Sequence, residues 1–333
     1  MPLVSRRKAL QLLFCSSVAL GCNVRASVPA AIDFPPEDTH LLAFGDFGSA
    51  GKPQQAVSDA MQKYVATHHL QTAGQLLLGD NFYSKMPGGV QAPRWQSGFE
   101  AMYPAAKFPG PCWAVLGNHD YHDNAGGEQV QLAYARETAG TRWTMPHKWY
   151  RVDLPQPNPH LTLLFLDSNL PAVSGTPSKT SGKKRASLTA AEARTQLEWL
   201  KTQLASPRGT FTMVVAHHPL YSNGSHGDSK ALIAAWEPLL AQHGVHLYLA
   251  GHDHDLQHLE FAGRKTSFVV SGGGGARVRA LKSTRKTAFG KDVYGFSHLQ
   301  IGPQRLLLRH IDANGAQVHA FAKYPDGTVK IEA

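Results

Sequence analysis

The chain has 333 residues, of which 42% are hydrophobic and 17% are charged, and its formal net charge is +9. This length and hydrophobic content suit one large domain or two small ones, and they exclude a disordered, collagen-like or coiled-coil chain. A modest basic excess fits an anionic substrate but is not typical of a nucleic-acid-binding protein, so no nucleic-acid partner is predicted.

The amino terminus has the layout of an export signal. Arg6 and Arg7 precede an apolar run at 10–20, which is too short to span a bilayer comfortably. Val24, Arg25 and Ala26 then offer a cleavage site before Ser27. The paired arginines resemble the twin-arginine type, although Ala9 stands where an aromatic residue is usual. The pattern predicts an exported protein, periplasmic or secreted, with no membrane span.

The cysteines bear on membrane anchoring and on disulfide bonding. Cys22 ends a degraded lipoprotein box, so lipid anchoring at that residue is an alternative. Cleavage after Ala26 would remove four basic residues, lowering the formal charge from +9 to +5, and would leave Cys112 as the single cysteine. The fold must then hold without an internal disulfide. We predict a signal at 1–26 and a single domain at 27–333.

Short apolar runs alternate with helical patterns from residue 40 onward. Strands are predicted at 41–44, 75–78, 112–116, 161–166, 211–216 and 246–250. Helical spacing of apolar residues marks 54–68 and 188–204. This alternation predicts a layered α/β fold. Closely spaced strands follow at 266–271, 297–301, 306–311 and 318–324, and we expect them to form a second sheet that completes a sandwich.

One segment, 171–187, is predicted to be an exposed, mobile loop. It combines Gly, Pro, Ser and Thr with Lys179, Lys183, Lys184 and Arg185. Its four positive charges could steer acidic substrates, but a solvated loop without a role fits the same composition.

Polar residues with metal-binding chemistry recur where predicted strands end. Five such places carry them: Asp46; Asp80 and Tyr83; Asn118 and His119; His217 and His218; His252, Asp253 and His254. In open α/β sheets, sites form just outside the carboxyl ends of the strands. We therefore expect these side chains to meet at one rim.

Each of these residues alone has an ordinary explanation. An isolated aspartate after a strand, such as Asp46 or Asp80, more often caps the next helix. His217 or His218 alone is more often a core or surface histidine. Asp46-Phe47-Gly48 also spells the magnesium triplet of kinases, but the other kinase motifs do not accompany it. The joint occurrence of five such turns favours a metal site.

The ligand types indicate which metals bind. Carboxylate, amide and imidazole donors suit Fe, Mn and Zn. Two carboxylates and three histidines exceed the needs of one tetrahedral zinc, and a bridging carboxylate can hold two ions about 3.5–4 Å apart. The phenol of Tyr83 is a hard oxygen donor that favours a trivalent ion, and Fe(III) is the trivalent ion that we expect.

The order of these motifs resembles a known family. Gly45-Asp46, Gly79-Asp80-Asn81-x-Tyr83, Gly117-Asn118-His119-Asp120, Ala216-His217-His218-Pro219 and Gly251-His252-Asp253-His254 match the calcineurin-like metallophosphoesterases. Tyr83, three residues after Asp80, is typical of the purple acid phosphatases, and the stretch 193–200 resembles their small, tartrate-resistant kind. The resemblance implies a four-layer αββα sandwich.

The resemblance also implies a role for each site residue. Asp46, Asp80, Tyr83 and His254 would hold Fe(III). Asp80, Asn118, His217 and His252 would hold a divalent ion (Fe, Zn or Mn), with Asp80 bridging. His119 and His226 would lie near the leaving group and the phosphate oxygens. Two residues depart from the family pattern: Phe47 replaces the more frequent Trp, and His218 replaces a frequent Tyr.

The implied reaction is hydrolysis of phosphate monoesters at acidic pH, with a metal-bound hydroxide as the nucleophile and His119 or His226 as the proton donor. Small phosphorylated molecules, and also phosphoproteins, are the expected substrates. Three alternatives remain open: a phosphodiesterase of the same superfamily, a non-catalytic metal-binding or anion-binding protein, and a redox-active iron protein that generates oxygen radicals. The residues predict no oligomeric state.

Overall fold

The computed structural model describes residues 35, 37–123, 126–177, 182, 185–282, 285 and 288–332. The predicted signal at 1–26 lies outside these residues, so export, the twin-arginine type and anchoring at Cys22 stay predictions, as does a single domain at 27–333. Within the described residues, no helix has the length and apolar character that crossing a membrane requires.

Fifteen strands and five α-helices of five or more residues carry the described fold. The strands are β1 (Thr39–Phe44), β2 (Gly74–Leu77), β3 (Cys112–Ala114), β4 (Trp143–Thr144), β5 (Tyr150–Leu154), β6 (Leu161–Phe165), β7 (Phe211–Val215), β8 (Leu247–Ala250), β9 (Leu256–Leu259), β10 (Ser267–Ser271), β11 (Phe289–Lys291), β12 (Gly295–Ile301), β13 (Leu306–Asp312), β14 (Gln317–Lys323) and β15 (Val329–Glu332). The helices are α1 (Lys52–Thr67), α2 (Asn118–His122), α3 (Gly127–Glu137), α4 (Ala190–Ala205) and α5 (Lys230–Gln242). A short helical stretch also runs from Pro93–Trp95 into a π turn at Gln96–Glu100.

The strands form two mixed sheets. The first has eight strands in the order β15-β14-β13-β12-β1-β2-β3-β4, and the second has seven in the order β11-β9-β10-β8-β7-β6-β5. In the first sheet, β1, β2 and β3 are parallel, and β12 pairs antiparallel with the free edge of β1. In the second, β6, β7, β8 and β10 are parallel.

Alternation along β6 shows how the layers stack. Leu161, Leu163 and Phe165 join the large apolar core that also contains residues of the first sheet. Leu164 lies on the other face, in a second core with residues of α4 and α5. Successive side chains of a strand point to opposite faces, so both faces of this sheet are covered.

The helices bury one face each. On α1, Val57, Met61 and Tyr64 recur at helical spacing and pack into the core with the first sheet. Helix α4 begins at a capping box in which Thr189 and Glu192 satisfy each other's backbone amides. Helices thus line both outer sides of two stacked sheets, which confirms the predicted α/β sandwich.

The expectation that the strands at 266–271, 297–301, 306–311 and 318–324 form one second sheet is wrong. Strand β10 instead extends the sheet of β8, while β12 to β15 extend the sheet of β1. An unpaired strand edge is stabilised by any later strand that reaches it. Strand β10 pairs with β8 and β12 pairs with β1, so the carboxy-terminal strands are divided between the two sheets.

Candidate metal centre

The predicted site residues lie at the carboxyl ends of strands from both sheets. Asp46, Asp80 and Asn118 follow β1, β2 and β3 of the first sheet, and His217 and His252 follow β7 and β8 of the second. Because the strands within each set are parallel, their carboxyl ends meet along one edge of the sandwich.

Three of these residues have strained backbones. Asp46, Asp80 and His252 have φ angles of 58°, 51° and 69°, in the left-handed region that non-glycine residues avoid. Each such residue costs on the order of 1–2 kcal/mol, and such strain is typical of functional sites. The turns therefore aim side chains inward at a cost to stability.

Close approach of the loops depends on glycine. A Cβ at Gly117 would lie 2.1 Å from Oδ1 of Asp80, and a Cβ at Gly251 would lie 2.6 Å from Oδ2 of Asp46. Since neither contact is sterically possible, only glycine lets these loops pack against the two carboxylates.

Asp46, Tyr83 and His254 bring their donor atoms together at one position. The Tyr83 hydroxyl lies 3.1 Å from Oδ1 of Asp46 and 3.2 Å from Nε2 of His254, and the last two atoms are 3.4 Å apart. Nδ1 of His254 donates to the carbonyl of Arg277 at 2.7 Å, which turns the lone pair of Nε2 toward the carboxylate. Burial raises the pKa of Tyr83 well above its ordinary value, and the nearby Asp46 and Asp80 raise it further.

Asn118, His217 and His252 form a second cluster of donors. Nε2 of His217 lies 3.2 Å from Oδ1 of Asn118 and 3.2 Å from Nδ1 of His252. Nδ1 of His217 donates to the Leu78 carbonyl at 2.8 Å, so its Nε2 lone pair faces the other donors. Burial, with the neighbouring histidines, lowers the pKa of His252 well below its ordinary value, which keeps that ring in its neutral, ligating form.

Asp80 lies between the two clusters. Its Oδ1 is 3.4 Å from Nε2 of His217. A carboxylate oxygen of Asp80 also lies within 4.8 Å of a carboxylate oxygen of Asp46 and a ring nitrogen of His254. Asp80 is 1% exposed, so its charge is screened little by solvent. This placement suits a carboxylate shared by two cations.

The donor set fits metal ions better than it fits a hydrogen-bond network. Adjacent ligands of an ion with bonds of about 2.1 Å are about 3.0–3.4 Å apart in octahedral or tetrahedral geometry, which is the spacing of these atoms. Burial lowers the pKa of His217, but Asp80 and Asp46 raise it to about 9. Surroundings that favour a proton so strongly at a buried nitrogen favour any cation there.

His119 lies beside this centre but turns one nitrogen away from it. Nδ1 is 2.8 Å from a carboxylate oxygen of Asp123, and the ring packs against Tyr83 with centroids 4.5 Å apart. Burial lowers the pKa of His119, while the hydrogen bond to Asp123 and the charge of Asp80 raise it, and the net shift is upward. The side chain is 34% exposed and lines the cleft, so Nε2 can reach a bound ligand.

His226 approaches from the opposite side. Its Nδ1 and backbone amide both bond Oδ1 of Asp253, at 2.8 Å and 3.0 Å, and its ring stacks on His252 at 4.0 Å between centroids. Asp253 is itself buried and accepts from Ser222. The carboxylate fixes the ring orientation, as the Asp of a catalytic triad does for its histidine.

A polar cleft of about 690 Å³ opens over the centre. Asn118, His119, His218, His226 and His252 line its floor, together with Arg185 and residues 172–174 of the loop 171–187. The described part of that loop thus forms one wall, whereas Lys179, Lys183 and Lys184 lie outside the described residues.

His218 is the residue whose role the family pattern left open. Its Nδ1 lies 2.8 Å from the Ser168 hydroxyl, and its ring groups with those of His217 and His252.

Sequence reasoning missed the acidic residues that hold the loops in place. Asp120 accepts from the amides of Asn81, Phe82 and Gly117, which ties the loops after β2 and β3 together. Asp123 and Asp253 orient His119 and His226. Asp120 and Asp253 lie inside the motifs that mark the site, which is the signal that could have found them.

Comparison with known proteins finds a matching family and related sequences. A family model described as calcineurin-like phosphoesterase matches residues 38–256. Tartrate-resistant acid phosphatase type 5 of Sus scrofa is 30% identical over 299 residues, which cover 84% of this chain and 85% of that protein. Purple acid phosphatase 7 of Arabidopsis thaliana is 29% identical over 288 residues, or 84% of each chain.

Solved structures support the fold. The Plasmodium inner-membrane-complex anchor GAP50 superposes with a TM-score of 0.71 at 21% identity, over 85% of this chain and 87% of that one. Purple acid phosphatase PPD1 from yellow lupin (Lupinus luteus) seeds gives a TM-score of 0.64 at 17% identity, over 86% of this chain and 54% of that one. At these identities the likeness extends to the fold alone.

Proposed function

The chain belongs to the calcineurin-like phosphoesterase family, and on that premise we propose that it hydrolyses phosphate monoesters in acid at a centre of two metal ions. One ion would be Fe(III) and the other divalent Fe, Zn or Mn. The observation that carries this proposal is the pair of donor clusters that share Asp80. One cluster contains a phenol, which suits a hard trivalent ion. The other contains an amide and two imidazoles, which suit a divalent ion.

The two clusters support one assignment of the ligands. Asp46, Asp80, Tyr83 and His254 would hold Fe(III), because phenol and carboxylate oxygens dominate that set. Asp80, Asn118, His217 and His252 would hold the divalent ion. Two bound cations would supply a Lewis-acid pair that neutralises phosphate charge and activates a water molecule.

The protein's own residues would position the ester and move the proton. A phosphate over the two clusters would lie between His119 and His226, which face the cleft from either side. His119 would protonate the departing alkoxide, a role supported by the hydrogen bond of Nδ1 to Asp123, which leaves Nε2 toward the cleft. The rest of the polar cleft is wide enough for a small phosphorylated molecule or a side chain of a phosphoprotein.

The cellular location is part of the same proposal. The residues at 1–26 have the pattern of an export signal, and we propose that the enzyme acts in the periplasm or outside the cell. An enzyme there would meet phosphate esters released from other molecules, which is consistent with a broad cleft.

The test is a substrate comparison with metal analysis. Purified enzyme should hydrolyse p-nitrophenyl phosphate faster than bis(p-nitrophenyl) phosphate, and iron should account for one of two bound ions. A preference for the bis-ester would instead indicate a phosphodiesterase. Peroxide-dependent radical formation without hydrolysis would indicate a redox protein.

A further inference from the structure

Arg279 lies against the predicted catalytic histidine on a segment that the motifs do not include. The segment 276–282 follows β10 and the glycine run 272–275, and its sequence resembles no ligand pattern. The side chain of Arg279 nevertheless contacts His226, which lines the cleft over the candidate centre.

The backbone of this segment is anchored to the site on one side. The amide of Ala276 donates to the Asp46 carbonyl at 2.7 Å, and the carbonyl of Arg277 accepts from Nδ1 of His254 at 2.7 Å. Two proposed ligands of the Fe(III) position therefore hold the chain just before Arg279.

The other side of the segment is anchored to the loop that carries His226. The amide of Lys282 donates to the Asn223 carbonyl at 2.7 Å, and Nδ2 of Asn223 donates to the Arg285 carbonyl at 2.7 Å. Arg285 also pairs with Asp228 at 2.6 Å. Because both ends are held, the position of Arg279 is set by the site and not by a free loop.

The guanidinium of Arg279 packs on the His226 ring. Its Nη1 lies 2.9 Å from Nε2 and 3.3 Å from Nδ1 of that ring. The hydrogen-bonding directions of Nδ1 and Nε2 lie in the ring plane and point away from each other. One atom cannot lie along both directions, so an atom this close to both nitrogens lies over a face of the ring. His252 is stacked on His226 as well, which leaves the opposite face for the guanidinium. Arginine commonly stacks in this way on flat rings.

This contact leaves most of the guanidinium unused. Among the described residues, no carboxylate lies within ion-pair distance of Arg279, and its Nε and Nη2 make no hydrogen bond to protein. The Arg279 side chain is partly buried. Its positive charge is close enough to His254 to oppose the upward shift of that residue's pKa. A half-buried cation without an acidic partner, beside a phosphate-binding centre, has the chemistry of an anion-binding group.

We propose that Arg279 binds the phosphoryl group of the substrate through Nε and Nη2, and that His226, fixed by Asp253, positions it. This inference rests on the proposed function, because it assigns a further protein contact to the phosphate proposed to bind beside His226. The planar fork of arginine matches two oxygens of a tetrahedral phosphate. His226 then acts through Arg279, while His119 remains the group that reaches the leaving oxygen.

The first experiment compares Arg279→Gln with Arg277→Gln. Arg277 is a matched control, because its exposed side chain lies on the same segment and glutamine keeps the carbonyl that His254 uses. Inhibition by inorganic phosphate and the kinetics of p-nitrophenyl phosphate would be measured for both variants in metal-loaded enzyme. Arg279→Gln should weaken inhibition about 10- to 100-fold, as expected for loss of charged hydrogen bonds. Arg277→Gln should change it less than about 2-fold.

The second experiment tests the positioning role of His226 with a double-mutant cycle. If His226 acts through Arg279, the variant with both His226→Ala and Arg279→Gln should bind phosphate no worse than Arg279→Gln alone. Arg279→Lys should recover only part of the affinity, since an ammonium keeps the charge but lacks the fork. Additive losses in the double variant would show that His226 binds phosphate by itself and would overturn the positioning role.

Calorimetric titration with inorganic phosphate separates this inference from the proposed function. A wild-type enzyme that hydrolyses esters, with phosphate affinity unchanged in Arg279→Gln, refutes the inference alone. A wild-type protein that does not hydrolyse esters but binds phosphate through Arg279 refutes the proposed function alone. An equal loss of phosphate affinity in Arg277→Gln would show that the effect comes from the overall positive charge of the segment, and this would also overturn the inference.

Discussion

His246 makes the folded state sensitive to acid. The ring is 5% exposed and lies just before β8. Its Nδ1 accepts from the Thr212 amide at 3.1 Å, and its Nε2 donates to the Pro325 carbonyl at 3.1 Å. Both bonds require the neutral ring, because a proton on Nδ1 would face another N–H group. Burial lowers the pKa of His246 to about 4, with nearby lysines and an arginine adding to the shift.

The direction and size of the effect follow from this shift. The unfolded chain takes up the proton near pH 6.5, whereas the folded chain takes it up only near pH 4. Between those values the unfolded state binds more protons, so the free energy of unfolding decreases as the pH falls from 6.5 to 4. At about 1.4 kcal/mol per pH unit of pKa difference, the loss is about 2–3 kcal/mol.

Urea denaturation at pH 7 and pH 4.5 measures this loss. In His246→Asn the amide oxygen can still accept from Thr212 but cannot titrate, so the variant should lose about 2 kcal/mol less than the wild type between the two pH values. His147→Asn, at an exposed ring, should behave as the wild type. Metal loss in acid affects all three proteins and cancels in the comparison. An identical pH dependence in His246→Asn would refute the reasoning.

Three further predictions concern the candidate centre. If Tyr83 binds Fe(III) as phenolate, the oxidised protein should be pink to purple, and Tyr83→Phe should remove the visible absorption band while the circular dichroism stays unchanged; a colourless active enzyme would contradict the iron assignment. Asp80→Ala should lose both ions in metal analysis, whereas Asn118→Ala should lose mainly the divalent one and keep its colour; loss of a single ion in each would rule out a shared carboxylate. His119→Ala should slow alkyl phosphates about 100-fold or more and p-nitrophenyl phosphate much less, because a good leaving group needs no proton; equal slowing would assign His119 to phosphate binding.

Most strands could be predicted from sequence because they are short, apolar and buried. Strand β1 was predicted at 41–44 and spans Thr39–Phe44, and β7 was predicted at 211–216 and spans Phe211–Val215. Both strands are buried along their whole length, so each is visible in the sequence as an unbroken run of mainly apolar residues. The edge strand β15 escaped prediction, since Val329–Glu332 is partly exposed and mixes charged with apolar residues.

The helices differed in how clearly the sequence marks them. Helices α1 and α4 have regular apolar spacing and were predicted within two residues of each end. Helix α5 buries Leu232, Trp236 and Leu240 at the same spacing, but Pro238 lies inside it and weakens the pattern. Helix α3 buries few apolar residues, so its position depends on tertiary packing.

The candidate centre was predictable because its residues follow strands. Parallel strands bring their carboxyl ends to one edge, so five short motifs far apart in sequence meet without any knowledge of the sheet order. The structure brings together all seven predicted ligands and places both predicted histidines at the cleft; their roles stay predictions.

The groups that orient the centre were harder to predict, because they depend on contacts and not on position. Asp123 lies outside the motifs and cannot be told from a surface aspartate until the fold places it beside His119. Asp253 lies inside a motif, but its hydrogen bond to His226 depends on the packing of two loops. Arg279 has no motif at all, and its contact with His226 depends on a segment anchored at both ends. Such roles require the packing of loops, which the sequence pattern does not contain.

Removal and return of metal tests the central claim most directly. Protein purified without added metal should contain about two ions per chain, one of them iron. Chelation should abolish hydrolysis of p-nitrophenyl phosphate, and iron together with a divalent ion should restore it, while either ion alone should restore little. Full activity in protein shown to be free of metal, or full recovery with a single ion per chain, would contradict a dinuclear phosphoesterase.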